Sequence, residues 1–167
     1  PGRGIEARPA VYDWNGRPVN AGCITTFQQY ALLSENRVTV VPPDTDPAVC
    51  CLLADTLTTG FGAIQHDARV EIGEAVVVIG CGGIGLGTVL GAHLAGAHPV
   101  IAVDLHEPKL AKAREFGATH TINAAQQDFA AAVLQVLDGQ RPEVAIDGTG
   151  QPAVLEKAVA LTAPTVC

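Results

Sequence analysis

Between Val76 and Gly85 the sequence reads Val-Val-Val-Ile-Gly-Cys-Gly-Gly-Ile-Gly, an apolar run that ends in a G-x-G-x-x-G loop. Each spaced glycine has its own use. Gly80 permits a tight turn out of a strand, Gly82 lets the backbone approach a pyrophosphate, and Gly85 lets a following helix pack closely on that strand. Amides at the helix start then face an anion, with a partial positive charge of about half a unit from the helix dipole. Glycine-rich turns occur in many α/β folds, so the loop alone is a weak signal. The second apolar run sharpens it: Ile101-Ala102-Val103 ends in Asp104, nineteen residues after Gly85. A carboxylate there can accept hydrogen bonds from both hydroxyls of an adenosine ribose. It would also repel the 2′-phosphate of NADP, and no arginine follows closely to neutralise it, so the pattern favours NAD. The competing reading of Asp104 is a cap for the strand or for the helix at Glu107-Pro108.

These residues need a scaffold, and from Ala75 onward the sequence supplies one. The pattern predicts strand 75–79, helix 83–94, strand 100–104, helix 108–116, strand 120–122, helix 128–137, strand 144–147 and helix 152–161. The strands are continuous apolar runs, as expected when helices cover both faces of a parallel sheet. Gly96, Gly117 and Gly139 stand where helices end, and Pro108 and Pro152 where they begin. The fold expected is α/β: a doubly wound parallel sheet of the Rossmann type, with four strands visible and a fifth starting at the end of the chain.

Residues 1–45 are polar and turn-rich, with a turn expected over Trp14-Asn15-Gly16-Arg17-Pro18 and short β-like runs at 27–33 and 38–41. At Asp46-Pro47 the signals change to those of a helix start, and an apolar stretch continues to about His66 as one helix or a broken pair. The chain opens on Pro1 and closes on Thr165-Val166-Cys167, so it reads as a fragment.

Composition excludes several classes. The net charge is −7 with no cluster of Lys or Arg, which argues against nucleic acid or an anionic membrane as partner. The longest apolar runs, such as 75–87, are Gly-rich and fall short of the roughly 20 residues that span a bilayer, which with no recognisable leader suggests a cytoplasmic protein. The 5 cysteines form no Cys-x-x-Cys pair, so reduced thiols are expected. Cys50 and Cys51 read as small buried hydrophobes, and Cys81, inside the glycine loop, as a tolerated small residue and not a nucleophile. The histidines are scattered singly.

Taken in order, Thr58-Thr59-Gly60-Phe61-Gly62, the run Val76 to Gly85, Val103-Asp104 with Lys109, and Phe116-Gly117-Ala118-Thr119 resemble the zinc-containing medium-chain alcohol dehydrogenases. The resemblance runs from about Val11 to Pro164. It implies that residues 1–45 are the C-terminal part of a β-rich catalytic domain, with Thr26 to Tyr30 similar to the family's T-F-x-x-Y segment. Residues 46–74 would be a helical connector and 75–167 a truncated NAD-binding domain.

By the same resemblance, Gly80, Gly82, Gly83 and Gly85 would hold the pyrophosphate, with Ile84 and Thr59 at the nicotinamide ring. Asp104 and Lys109 would hold the adenosine ribose, and Gly148 and Thr149 would flank the adenine side. Asp55, within an otherwise apolar helical stretch, occupies the position of the family's late catalytic zinc ligand, Cys in many members and Asp in others. Buried without a partner, such a carboxylate would be costly; its alternative is a capping or exposed Asp.

The activity implied is NAD-dependent oxidation of an alcohol, with zinc polarising the alcohol oxygen, and a homo-oligomer as the assembled state. The family's earlier zinc ligands, its proton-relay hydroxyl and its four-cysteine lobe would lie upstream of Pro1. A zinc-free quinone or enoyl reductase remains an alternative that Asp104 disfavours, and a non-catalytic dinucleotide-binding module is another. The chain alone is expected to bind NAD weakly or not at all and to show no turnover.

Overall fold

The run Val76–Ile79 (β3) is buried on both faces, because it lies at the centre of a sheet with helices on either side. The computed structural model describes residues 12–19, 29–31 and 38–162. Around β3, strands Val100–Asp104 (β4), His120–Asn123 (β5) and Val144–Asp147 (β6) form a four-stranded sheet in the order β5-β4-β3-β6. Every pairing is parallel, with Val76 opposite both Val100 and Val144. The chain therefore goes outward from β3 in one direction and returns to its other side, which opens a crevice at the carboxyl ends of β3, β4 and β6.

The helices are Gly83–Leu94 (α2), Glu107–Glu115 (α3), Phe129–Val136 (α4) and Pro152–Leu161 (α5), and all follow the predicted order. Alternate residues of each central strand feed two cores. Val76, Val78, Val100 and Ala102 join Ile64, Val89 and Leu110 on one face. Val77, Ile79, Ile101 and Val103 join Phe129, Val133 and Leu161 on the other. Gly96, Gly117 and Gly139 take φ of +82°, +106° and +84° just beyond their helices, the left-handed cap that a side chain resists.

Ahead of the sheet, Pro47–Ala68 (α1) is one unbroken 22-residue helix, not a broken pair. Asp46 caps it, its carboxylate accepting from the Ala48 amide at 2.8 Å. Two of its segments, Leu53–Leu57 and Ala63–Ala68, are π-helical, and it closes on Arg69 with φ +52°. The expectation that no apolar segment reaches bilayer length is corrected here: an 18-residue window of α1 has mean hydropathy 1.4. Length and composition are the whole of that likeness. The helix carries Asp55 and Asp67 and packs one side against α2, where Gly60 is buried.

The chain divides into two units, 1–45 and 46–167, so that α1 belongs with the sheet. In the first unit Tyr12–Trp14 (β1) and Arg17–Val19 (β2) form an antiparallel hairpin. Its turn is the expected one: Asn15 and Gly16 have φ of +54° and +76°, and Asp13 accepts from the Gly16 amide at 2.9 Å. The strand expected at 38–41 does not form; Val38, Val40 and Val41 are exposed and two prolines follow. Most of the run expected at 27–33, with Thr26, Phe27 and Gln28, lies outside the described residues.

Candidate cofactor-binding site

The turn from β3 into α2 owes its shape to main-chain crowding. Gly80 leaves the strand with φ +94°, and a methyl group on Gly85 would overlap the Gly80 carbonyl oxygen, so helix and strand meet only because Gly85 has no side chain. At Gly82 the reverse holds: a Cβ there would meet nothing within 4 Å. Gly82 stands at the α2 N-cap with no side-chain cap, and the first turn has no acidic residue. The orphan amides of that turn thus have no side-chain cap, an arrangement that suits an anion.

Asp104, at the end of β4, is tied into the same turn. Its Oδ2 accepts from the Cys81 amide at 2.8 Å and its Oδ1 from the His106 amide at 3.0 Å. Lys109 Nζ stands 3.8 Å from Oδ2. Burial works to raise the carboxyl pKa, but the amides of Cys81, His106 and Leu105 together with Lys109 hold it below the ordinary carboxylate value. The group is ionised near neutrality with its side chain only 8% exposed, a fixed negative charge beside the glycine turn. Strand capping and ribose binding are therefore compatible uses of one carboxylate.

Cys81 packs beneath the turn, 1% exposed, its Sγ 3.7 Å from the Val103 carbonyl oxygen. Burial, then the neighbouring Asp104, push its thiol up to about 11, against the opposing pull of Lys109. That suits a packing residue and not a nucleophile. Cys50 and Cys51 depart from the expectation of burial, being half-buried and exposed respectively.

A cavity of about 370 Å³ opens at the carboxyl ends of β3, β4 and β6. Gly80, Gly82, Asp104, Lys109, Gly148 and Thr149 all line it, so six positions singled out from the sequence converge on one cavity. Its size is that of a small-molecule site. Leu105, His106, Phe129, Gln151 and Val154 also line it and had no motif to mark them. Leu105 and His106 follow Asp104 directly, but Phe129 and Val154 reach the cavity from α4 and α5 and become neighbours only through the topology.

Gly83, Gly85 and Ile84 form the first turn of α2 beside this cavity without lining it, and Ile84 is 41% exposed. On α1, Asp55 and Thr59 lie one helical turn apart, with the Thr59 hydroxyl donating to Asp55 Oδ1 at 2.8 Å. Asp55 is exposed, correcting the expectation of a carboxylate enclosed by apolar helix: the described surface of α1 leaves Leu52 and Leu53 open beside it as well. Thr56, between the two, packs on α2; a methyl on Gly83 would sit 3.3 Å from its Cγ2. Among the described residues no group of three His, Cys, Asp or Glu side chains could hold a metal ion, so Asp55 is a single donor of the right chemistry.

Known proteins resemble this chain in sequence and in fold. The family described as zinc-binding dehydrogenase matches residues 83–166, just over half of the chain. A Schizosaccharomyces pombe protein named probable S-(hydroxymethyl)glutathione dehydrogenase 1 is 37% identical over 137 residues, which are 81% of this chain and 36% of that protein. Among solved structures, an alcohol dehydrogenase zinc-binding domain protein from Burkholderia ambifaria superimposes with a TM-score of 0.77 at 34% identity, over 84% of this chain and 38% of its own. Benzyl alcohol dehydrogenase from Acinetobacter calcoaceticus does so with 0.74 at 34% identity, over 79% and 36%. The chain thus spans about a third of the length of the relatives it matches.

Proposed function

The chain belongs to the zinc-binding dehydrogenase family, and on that premise we propose that it is the NAD-binding part of an enzyme that moves hydride from an alcohol to NAD. The observation that carries the reading is the bond between the Cys81 amide and Asp104 Oδ2, which joins the phosphate-type turn to a ribose-type carboxylate. The open space before Gly82 and the uncapped α2 terminus fit a pyrophosphate. Asp104, its remaining lone pairs free for the ribose diol, fits NAD and opposes a 2′-phosphate, with Lys109 holding the carboxylate ionised. Gly148 and Thr149 bound the adenine side, and Ile84 and Thr59 lie toward the nicotinamide side.

Asp55 supplies one metal ligand, its Oδ1 oriented by Thr59. Zinc, when bound, acts as a Lewis acid on the alcohol oxygen. The chain's own residues fix the cofactor: main-chain amides bind the phosphates, Asp104 sets which dinucleotide enters, and the α1–α2 contact holds Asp55 near the glycine turn. A cytoplasmic homo-oligomer acting on an alcohol or aldehyde, with neither nucleic acid nor membrane as partner, completes the proposal.

A non-catalytic dinucleotide-binding role is the second reading, favoured by the absence of a three-donor cluster among the described residues. The test is zinc content together with alcohol-dependent NAD reduction by the full-length protein, wild type against Asp55→Ala. Loss of both in the variant is expected. A wild type that turns over without zinc, or a variant that keeps it, would overturn the assignment of Asp55. A wild type that binds NAD but oxidises no alcohol would favour the second reading.

A further inference from the structure

We infer that Asp147, a residue no motif marks, is a positioning residue for the adenosine half of the cofactor, acting through Thr149; the inference rests on the NAD reading above. Asp147 closes β6 opposite Ile79 of β3. Its Oδ1 accepts twice from one residue: from the Thr149 amide at 3.0 Å and from the Thr149 hydroxyl at 2.7 Å. The Thr149 hydroxyl in turn accepts from the Gln151 amide at 3.2 Å. The Gly148 amide donates to the Ile79 carbonyl at 2.8 Å. The turn after β6 is thereby fixed against the turn after β3. A methyl on Gly80 would come within 3.1 Å of Thr149 Cγ2 and 3.3 Å of the Gly148 carbonyl carbon.

Gly148, Thr149 and Gln151 line the cavity opposite Asp104, whereas Asp147 does not. Asp147 therefore acts on a ligand only by setting the wall that Thr149 and Gln151 present. Because the Thr149 hydroxyl has its donor engaged by Asp147 and accepts from Gln151, Thr149 offers a ligand its shape and no hydroxyl donor. The two carboxylates that flank β3 then divide the work: Asp104 touches the ribose, and Asp147 holds the opposite wall at the width the nucleoside needs.

The experiment measures NAD and ADP-ribose affinity by calorimetry, and KM and kcat for NAD, on the full-length protein. Asp147→Ala should weaken NAD and ADP-ribose by the same factor, roughly fivefold to tenfold, as expected for losing a pair of ordering hydrogen bonds. It should raise KM for NAD and leave kcat at saturation in place. Asp147→Asn keeps an Oδ1 that accepts both bonds and should stay within about twofold of wild type. Thr149→Val, which removes the hydroxyl and keeps the methyl, should weaken ADP-ribose about threefold, and it carries the test should Asp147→Ala not fold.

Unchanged ADP-ribose affinity in Asp147→Ala, or in Thr149→Val where Ala does not fold, overturns the inference while leaving the NAD reading intact. So does an equal loss in Asp147→Asn and Asp147→Ala. A wild type that binds neither NAD nor ADP-ribose overturns the NAD reading and the inference with it.

Discussion

Gly60 of α1 faces Gly87 of α2 at main-chain contact, and replacing it with alanine tests whether the site-bearing helix is fixed to the sheet as closely as the geometry says. A Cβ at Gly60 would lie 2.5 Å from the Gly87 carbonyl carbon and 2.5 Å from the Thr88 nitrogen, where ordinary contact begins at 3.4 Å. Both neighbours are backbone atoms and cannot rotate aside. The helices must part by about 1 Å, and the seam gives little room for that: Gly87 meets Thr56 in the same way, and Gly91 meets Phe61. Overpacking of this kind costs about 1–3 kcal/mol and occasionally more. Alanine regains about 1 kcal/mol of helix propensity over glycine. The net expectation is a loss of about 1 kcal/mol, a fall in melting temperature of about 2–4 °C for a protein of this size.

Gly62 is the control on the same helix. A Cβ there meets nothing within 4 Å and its φ is −58°, so Gly62→Ala should gain about 0.5–1 kcal/mol. Thermal and urea unfolding of the two variants should therefore shift in opposite directions with unchanged m-values. A Gly60→Ala protein that melts at or above wild type would refute close packing of α1 on α2, and with it the argument that α2 fixes where Asp55 stands.

Gly82→Ala should leave stability within about 0.5 kcal/mol, because its backbone is extended at φ −78° and the space before it is open. The same methyl would stand where the pyrophosphate approaches, so NAD affinity by calorimetry should fall at least about tenfold; retained affinity would place the phosphates elsewhere. Asp104 should contribute to acid stability: its folded pKa is depressed, so its contribution is complete above the unfolded value of about 3.9 and is lost as pH falls from there through the folded value. The stability difference between wild type and Asp104→Asn, followed by urea titration from pH 6 downward, should shrink below about pH 4; a difference constant across that range would exclude Asp104 as the cause.

Much of the sheet unit was legible because its signals are local. Helix Gly83–Leu94, strands Val100–Asp104 and Val144–Asp147, and helix Pro152–Leu161 have the predicted bounds, set by apolar runs between glycines and prolines that act on their own backbone. Three cavity residues, Gly80, Gly82 and Asp104, were legible for a related reason, since the glycine turn and the acid ending β4 sit at fixed offsets from neighbouring strands; Lys109, Gly148 and Thr149 were marked only by the family resemblance. What stayed hidden depends on contacts between distant segments. Phe129 and Val154 reach the cavity from helices distant in the chain from the glycine turn, and no local signal marks them. Val38, Val40 and Val41 have strand-forming residue types, yet they are exposed, and β-branching alone does not make a strand. The exposure of Asp55 could not be read either, since an apolar helix reads alike whether or not other residues cover it.

The glycines of α2 tie the fold to the site. Gly83, Gly87 and Gly91 recur every four residues and so share one face, and that face meets Thr56, Gly60 and Ile64 of α1, also four apart. At its amino end the same helix carries the open turn at Gly82 and, through Gly85, lies against Gly80. A side chain at Gly87 would displace α1 with Asp55 and Thr59; one at Gly85 would displace the phosphate turn. α2 is thus the single rigid part against which both the dinucleotide turn and the helix bearing the metal-ligand candidate are registered. Their separation is set by main-chain contact, which a change of side-chain rotamer cannot relax.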